Sequence, residues 1–223
     1  MRWVRILTLG GALLALSACE EALQMPDFGT MSLAGGREDA TTTGIRTLSL
    51  LGGSVRVRGP DGYCIDQRAS RSGDGFAVMV GCALLAPRAA VMPAKDGFIT
   101  VQFGDSGTAT VAGYEETLRR YLETDAGKRL LARSGEGDEV TLHSVEMVRG
   151  AVTVHFTDLS ADNDLGLEPR LWQGFFDVNG RLTTVTVRSF TRKPLAARQG
   201  ATLLNAAIRE IRAVNPSIQP SEG

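Results

Sequence analysis

The chain has 223 residues, of which 26 are glycine and 43% are apolar, and it carries 25 acidic against 24 basic side chains. Disordered chains contain fewer apolar residues and carry a larger net charge, and proteins that bind nucleic acid have an excess of basic groups. The composition therefore excludes disorder and argues against nucleic acid as a partner. A chain of this length can bury a core without a metal or several disulfides, so we expect one domain with a terminal segment.

The N-terminus has the composition of an export signal. Arg2 and Arg5 precede an uncharged apolar run over residues 6–18. That run is too short to cross the roughly 30 Å hydrocarbon core of a bilayer at about 1.5 Å per residue. We therefore predict that residues 1–18 are a cleaved signal peptide.

The run ends in the four residues LSAC at positions 16–19, which resemble the lipobox of bacterial lipoproteins. The resemblance implies that Cys19 becomes the first mature residue and carries a thioether-linked diacylglycerol, often with a third, amide-linked acyl chain. Two or three chains hold a protein firmly on a bilayer. It also implies a lipid-anchored protein of the bacterial cell envelope with its domain in the periplasm. Glu20 follows the cysteine, and the choice between inner and outer membrane stays open.

Two further cysteines, Cys64 and Cys82, would then lie in an oxidising compartment. A pair of cysteines there is bridged far more often than it is metal-bound or catalytic. We predict a Cys64–Cys82 disulfide, which would stabilise the fold by about 3 kcal/mol in the loop-entropy model. The spacing is not that of a C-x-x-C redox motif, and no histidine lies near either thiol in sequence.

Residues 19–44 lack a sustained hydrophobic period and are rich in glycine, threonine and small residues, which is typical of a tether. From Ile45 the pattern changes to alternation, which predicts short strands. Gly59, Pro60, Asp61 and Gly62 form a predicted turn after the first two strands. The strands are predicted over residues 47–51, 55–58, 63–65, 76–80 and 98–103, with the polar residues 67–75 as a loop.

Three later segments have helical periodicity. The first covers residues 114–122, and the second is a short helix that Asp125 caps and Gly135 closes. The third follows Pro194 and ends at Pro216. The apolar faces that we expect to be buried are Tyr114, Leu118, Tyr121 and Leu122 in the first helix, Leu130 and Leu131 in the second, and Leu204, Ala207, Ile208, Ile211 and Val214 in the third.

Two hairpins occupy the middle of the chain, over residues 140–156 and 172–187. The second turns at Asn179 and Gly180, the preferred type I′ pair because both central residues need a positive φ. Many strands, three helical segments and no βαβ rhythm predict an α+β domain over residues 45–216, an antiparallel sheet with helices packed on one face. A C-terminal tail follows at residues 217–223.

This order of elements resembles the PsbP-like fold, a family named for an extrinsic photosystem subunit and also found in bacterial lipoproteins. The resemblance rests on the order of strands, central helices, hairpins and final helix over most of the mature chain. The segment GYCID at residues 62–66, with GC at residues 81–82, is also similar to a group of bacterial lipoproteins of unassigned activity. These resemblances imply a fold and no reaction.

Two patterns in the sequence suggest catalysis, and both are incomplete. The GDSG at residues 104–107 matches the surroundings of the nucleophile in chymotrypsin-like proteases, but both histidines follow the serine instead of preceding it. His143 and His155 lie on opposite arms of the first hairpin, where they could form a metal or acid–base pair, but a third ligand is missing. Alternation places Glu146 on the opposite face of the sheet from His143. We therefore predict structural histidines and no metal site.

Two other segments offer binding hypotheses. The loop over residues 158–168 could offer oxygen ligands to Ca²⁺, but it lacks the spacing of a calcium loop, and a solvated connection is the alternative. Trp172, Phe175 and Phe176 could line an apolar pocket, although core packing is the expected role of aromatic residues. The acidic or amide residues of the loop are Asp158, Asp162, Asn163, Asp164 and Glu168.

Three function classes remain. We favour a membrane-anchored envelope lipoprotein that acts as a non-enzymatic structural or interaction module, because the anchor and a folded domain are supported while the catalytic patterns are incomplete. The alternatives are a periplasmic small-ligand-binding lipoprotein and an enzyme of unassigned reaction. We expect no cofactor. The expected partners are the membrane, through Cys19, and an envelope protein.

Overall fold

The structure of this chain, a computed structural model, describes residues 44–86, 92–160 and 166–216. The predicted signal peptide, Cys19 and the C-terminal tail lie outside the described residues, as does the predicted tether apart from Gly44. The strands are β1 (Thr47–Leu50), β2 (Val55–Arg58), β3 (Tyr63–Arg71), β4 (Phe76–Gly81), β5 (Gly97–Phe103), β6 (Val140–Met147), β7 (Val152–Asp158), β8 (Leu167–Val178) and β9 (Arg181–Phe190). The helices are α1 (Cys82–Leu85), α2 (Glu115–Leu122), α3 (Asp125–Leu131) and α4 (Ala197–Ala213).

Seven strands form one sheet in the order β3-β4-β5-β9-β8-β7-β6, and β1 pairs with β2 in a separate hairpin. Every pairing between these strands is antiparallel. The predicted α+β class and antiparallel sheet are therefore confirmed. Both predicted hairpins are present as β6–β7 and β8–β9, and at the second turn Asn179 and Gly180 have φ values of 48° and 73°. Glycine and asparagine tolerate this left-handed region best, which explains why the turn is tight.

The two faces of the sheet bury different groups of residues. In β8, Trp172 and Phe176 point toward α4, whereas Leu171 and Phe175 belong to a second apolar cluster with residues of α2 and α3. The expectation that all helices share one face therefore needs correction. Three alternate residues of β7 are apolar and lie on the face that α4 does not contact, so α2 and α3 bury these residues. We call the two sides the α4 face and the α2–α3 face. The β7 residues on the α2–α3 face are Val152, Val154 and Phe156.

Helix α4 approaches the sheet closely because glycines stand at two contact points. A Cβ atom on Gly200 would overlap the indole ring of Trp172. On the sheet, a Cβ atom on Gly174 would lie only 2.7 Å from Cδ1 of Ile208. Gly200 of α4 thus leaves space for Trp172 of the sheet, and Gly174 of β8 leaves space for Ile208 of the helix. A residue with a side chain at either position would fill that space. The predicted burial of the α4 stripe is confirmed for Leu204, Ala207, Ile208 and Ile211, whereas Val214 is half-buried at the helix end.

The first two helices differ from the prediction in their details. Leu122 is buried and Leu118 half-buried, but Tyr114 is 65% exposed and Tyr121 is also exposed. In α3 Leu131 is buried, whereas Leu130 is 61% exposed. The cap of α3 is Thr124, whose Oγ1 accepts a 3.1 Å hydrogen bond from the N–H of Gly127, and the predicted cap Asp125 is the first helical residue. Short helices of two turns can bury only a narrow stripe, which leaves the flanking apolar residues outside.

Strand β3 also runs further than predicted, through most of the expected loop to Arg71. Its pairing with β4 is irregular between Asp66 and Arg71. Side-chain bonds support the chain there, because the hydroxyl of Ser70 donates to the carbonyl of Asp66 at 2.6 Å and accepts from the N–H of Val78 at 3.0 Å. Polar residues therefore extend a strand that hydrophobic alternation alone would end.

Cys64 and Cys82 lie at disulfide-bonding distance, with Cα atoms 4.7 Å apart. Cys64 belongs to β3, and Cys82 directly follows β4 as the first residue of α1. The N–H of Cys82 also donates to the carbonyl of Gly62 at 2.8 Å. The pair therefore joins the ends of two neighbouring strands at one edge of the sheet, as the sequence predicted.

Replacing Ile208 by Asp should destabilise the fold strongly, because the side chain is only 5% exposed and fills the space above Gly174. An unpaired buried carboxylate and the lost packing should cost on the order of 3 kcal/mol or more. For a domain of this size about 2–4 °C is lost per kcal/mol, so we expect the melting temperature of the mature chain to fall by about 6–12 °C.

Thr202→Asp provides the control, since Thr202 is exposed on the same helix. Thermal unfolding followed by circular dichroism measures both variants. An Ile208→Asp protein that melts within about 2 °C of the wild type would contradict core burial of α4.

Candidate functional site

A β-bulge in the edge strand β6 determines which side chains reach the α4 face. Leu142 pairs with Phe156 and Ser144 pairs with His155, so one residue of β6, His143, is extra. Residues that pair directly share a face of the sheet, and a bulge shifts the alternation by one residue. Ser144 therefore lies on the same face as His155.

The same shift brings Glu146 to the α4 face, where it pairs with Thr153 of β7. The sequence-based placement of Glu146 on the opposite face from the histidines was wrong, because strict alternation does not allow for the extra residue at His143. The bulge thus adds a carboxylate to the surroundings of His155.

The two histidines are in contact, as the hairpin predicted. Their ring centroids lie 4.6 Å apart, and the His155 ring stacks on Trp172 at 4.8 Å with an interplanar angle of 3°. Nε2 of His143 lies 2.9 Å from the hydroxyl of Thr157. Nε2 of His155 is buried and has no hydrogen-bond partner among the described residues. His155 is therefore packed mainly as an aromatic ring.

This environment lowers the pKa of His155 from its ordinary 6.5 to about 4. Burial, which disfavours the charged imidazolium, is the largest cause, followed by the positive charges of His143 and Arg170. His155 is consequently neutral at the pH of most bacterial surroundings. A neutral imidazole is a poor proton donor, and the covered Nε2 is not available to bind a metal ion.

A cleft of about 330 Å³ opens beside this stack, between α4 and strands β6 to β8. Trp172 and His155 contribute its aromatic wall, while Glu146 from β6 and Arg198 from α4 bring opposite charges to its lining. Neither of these charged side chains forms a hydrogen bond or ion pair with a described residue. We call this space the His155 cleft. Its remaining lining consists of Ser144, Thr153, Val154, Ala197, Ala201, Leu204 and Asn205.

A second cavity of about 430 Å³ lies further along α4, and Asn205 borders both spaces. Its charged lining consists of Arg149 at the β6–β7 turn and Arg209 and Arg212 on α4. Val148 and Ile208 complete the lining. We call it the arginine cavity, and the two spaces together the α4 groove.

Arg212 forms hydrogen bonds across the cavity edge to the β6–β7 turn. Nη2 donates to the carbonyl of Gly150 at 2.8 Å, and Nη1 donates to the carbonyl of Arg149. The guanidinium also lies 5.0 Å from the centroid of the Phe176 ring. Burial lowers the pKa of Arg212, and the negative charge of Asp177 partly opposes this shift. The side chain thus joins the end of α4 to the β6–β7 turn while keeping its charge.

The other sequence hypotheses have different outcomes. Trp172 lines the His155 cleft, but Phe175 and Phe176 lie on opposite faces of the sheet and do not join it in a pocket. The GDSG segment is a turn that packs on the second hairpin, where the N–H of Gly107 donates to the carbonyl of Gly180 at 2.9 Å. These two findings support packing roles for Phe175, Phe176 and the GDSG segment.

The calcium hypothesis falls partly outside the described residues, which exclude Asp162, Asn163 and Asp164. Asp158 is buried, and its carboxylate accepts hydrogen bonds from the N–H groups of Arg133 and Ser160 at 2.9 and 3.0 Å. It therefore holds the connection after α3. Among the described residues, no three His, Cys, Asp or Glu side chains cluster closely enough to hold a metal ion. No helix in the described parts of the chain has the length and apolarity needed to span a membrane.

Sequence reasoning missed the groove, although a signal for it was present. Arg198, Asn205, Arg209 and Arg212 recur at spacings of seven, four and three residues, which places them along one side of a helix. The apolar stripe of the C-terminal helix predicts that the helix is buried, and it does not by itself indicate a binding role for the polar side. The participation of Arg149 depends on the β6–β7 turn and could not be read from helical periodicity.

No family model matches the sequence, and neither does any curated protein. Among solved structures, the Ran-binding protein Mog1p of Saccharomyces cerevisiae is 15% identical with a TM-score of 0.44, and the alignment covers 78% of this chain and 97% of that one. The cyanobacterial PsbP of Synechocystis sp. PCC 6803 is 13% identical with a TM-score of 0.39, covering 79% and 96% of the two chains. The PsbP-like family that the order of elements suggested is thus represented among the similar structures, and these comparisons identify no function.

Protonation of His155 should be visible in the fluorescence of Trp172, the single tryptophan after Trp3. A stacked imidazolium quenches indole emission, whereas neutral imidazole does so much less. In a chain that starts after the signal segment, we expect quenching with a midpoint near pH 4 instead of 6.5. His155→Gln should abolish this transition, and His143→Gln should raise its midpoint because a neighbouring positive charge is removed.

The same shift makes stability depend on pH. The unfolded chain binds a proton at His155 near pH 6.5 and the folded chain only near pH 4, so the free energy of unfolding should fall as the pH is lowered between these values. Circular dichroism on the same samples separates quenching from unfolding. A midpoint near 6.5 in folded protein would show that His155 is not shielded.

Proposed function

We propose that this chain is a lipid-anchored binding module of the bacterial cell envelope and that the α4 groove is its binding surface. The proposal keeps the non-enzymatic interaction role expected from the sequence and assigns it to a part of the molecule. Cys19 would hold the chain on a membrane, and the domain would present the groove in the periplasm.

The anchoring part of the proposal rests on the sequence. A basic start, a short apolar run, small residues and Cys19 occur in the order typical of lipoprotein signals. The pair Cys64 and Cys82 at disulfide-bonding distance is consistent with an oxidising compartment, where such pairs persist.

The binding part of the proposal rests on one observation, the set of unengaged polar side chains in the groove. Glu146, Arg198 and Asn205 come from two separate elements and line a common space, yet none of these side chains makes a hydrogen bond or ion pair with the described residues. Some other charged side chains of the domain are engaged with each other, for example Arg119 with Glu116 and Glu123. Unengaged groups that converge on a concave surface are suited to recognition, because a partner can satisfy them without breaking internal bonds.

The concave shape also supports the second candidate, a small-ligand-binding lipoprotein. The volume of the His155 cleft is within the range of ligand pockets, about 300–1,000 Å³. An aromatic wall next to a few polar groups is the usual composition of such pockets. In both candidate functions the α4 groove is the binding surface. The interaction module would bind another protein there, and the ligand-binding lipoprotein would bind a small molecule.

Replacing Cys19 by Ala should release the chain from the membrane or leave it unprocessed. The acyl chains need the thiol, and no helix in the described residues is long and apolar enough to span a bilayer. Membrane fractionation with a carbonate wash checks this in a bacterial host. Cys19→Ala protein that stays as tightly bound as the wild type would contradict the lipobox assignment.

A photo-reactive amino acid placed at position 198 should crosslink a partner or ligand in intact cells, whereas the same residue at position 120 should not. Arg198 lines the His155 cleft, and Arg120 is exposed on α2, which packs on the other face of the sheet. The additional change Glu146→Arg should weaken the crosslink from position 198, because it reverses a charge in the same cleft.

Blotting for mass-shifted species measures the products. Equal crosslinking from positions 198 and 120, or a product that Glu146→Arg leaves unchanged, would contradict the α4 groove as the binding surface.

A further inference from the structure

Three arginines from two elements that are far apart in sequence line the arginine cavity. Arg209 and Arg212 lie on adjacent turns of α4, and Arg149 lies at the β6–β7 turn with a φ of 50°. Arg212 is fixed by two carbonyls of that turn and by the Phe176 ring. These contacts hold the β6–β7 turn and the end of α4 together. The backbone at Arg149 therefore lies next to the helix end that carries Arg209.

The positive charge in the cavity is only weakly compensated. Its lining contains no acidic residue among those described. Glu210 contacts Arg209 at 3.8 Å, but it also contacts Arg58 at 4.0 Å on the other side. The side chain of Arg149 has no described partner.

Two other carboxylates lie near the arginine cavity, and only one of them accepts several hydrogen bonds within the domain. Asp177 accepts the N–H groups of Thr110, Val111 and Ala112 at 2.8 to 3.0 Å. Glu115 of α2 also approaches Gly150, and it forms no ion pair with Arg212 within 4.0 Å. A cluster of like charges costs folding free energy, and a bound anion would recover it.

We propose that the arginine cavity binds a phosphate group that is attached to a small apolar moiety. Guanidinium groups match the oxygens of phosphate and carboxylate with paired hydrogen bonds. Three of them around one space suit the three oxygens and double charge of a phosphate monoester better than the two oxygens and single charge of a carboxylate. Val148 and Ile208 supply an apolar wall, and Asn205 offers an amide at the border with the His155 cleft. The proposal rests on the proposed function, since it names a ligand class for one part of the α4 groove.

Phenyl phosphate is the probe, and isothermal titration calorimetry on the whole exported chain in detergent micelles is the measurement. We expect binding that is at least about tenfold tighter than that of benzoate or inorganic phosphate, because only phenyl phosphate offers both the charge and the apolar part. Arg209→Gln and Arg149→Gln should each weaken it by at least about tenfold. Both residues are exposed, so these variants should fold normally.

Arg120→Gln is the matched control, because Arg120 is an exposed arginine of α2 that lines neither part of the α4 groove. It should change the affinity by less than about twofold. An equal loss with all three variants would show attraction by general surface charge and overturn the proposal. Benzoate binding as tight as that of phenyl phosphate would overturn it as well.

Competition by lipid added to the micelles distinguishes the source of the phosphate. Displacement of phenyl phosphate by mixed micelles that contain phosphatidic acid, but not by those that contain phosphatidylcholine, would assign the site to a lipid headgroup. Phenyl phosphate binding that neither lipid affects would assign it to a free phosphoester. Absence of phenyl phosphate binding together with intact crosslinking from position 198 would overturn this inference alone, whereas lost crosslinking with intact phenyl phosphate binding would overturn the proposed binding function.

Discussion

The close packing of α4 on β8 is the constraint on which the rest of the domain depends. Trp172 of the strand occupies the space that a side chain at position 200 would need, and Ile208 of the helix occupies the space above Gly174. These two contacts fix the distance between the helix and the sheet, and they also fix the position of the helix along the strand. If the helix moved along the strand, the indole ring would meet a residue that has a Cβ atom. Protein interiors tolerate such overlap poorly. The α4 groove is the space that remains where the helix, held at this height, passes over the outer strands.

The edge strand completes the groove through an irregularity. The extra residue at His143 brings Ser144 and Glu146 to the side that faces α4. Without the bulge, Glu146 would stand opposite Val152 among the apolar residues of the α2–α3 face, where an unpaired carboxylate would be costly. Bulges in general bend a strand and make an edge strand less able to pair with other chains. The bulge in β6 thus determines the lining of the cleft and lies where the sheet has an open edge.

Much of this fold can be predicted from the sequence because its local signals agree with its tertiary structure. The hairpin at Asn179 and Gly180 and the buried stripe of α4 follow from turn chemistry and from periodicity. The features that could not be predicted from the sequence were missed for physical reasons. An extra residue in a strand has no signature in an alternating pattern, so Glu146 was placed on the wrong face. The role of Gly200 depends on a tryptophan 28 positions earlier, and no local rule connects the two. The apolar residues on both faces of β8 follow from its place inside the sheet between β9 and β7, which the sequence alone does not show.

The chemistry of the groove favours recognition over proton transfer. His155 is the obvious candidate for acid–base work, yet its ring is stacked on Trp172 and its Nε2 is covered. Burial, followed by the electrostatic effects of His143 and Arg170, lowers the pKa of His155, so near neutral pH little of the proton-donating imidazolium form is present. The charged groups that line the groove are Glu146 and the arginines. In the proposed binding role, such charges would orient a ligand and select it by its charge, and the mutual repulsion of the arginines would favour a bound anion.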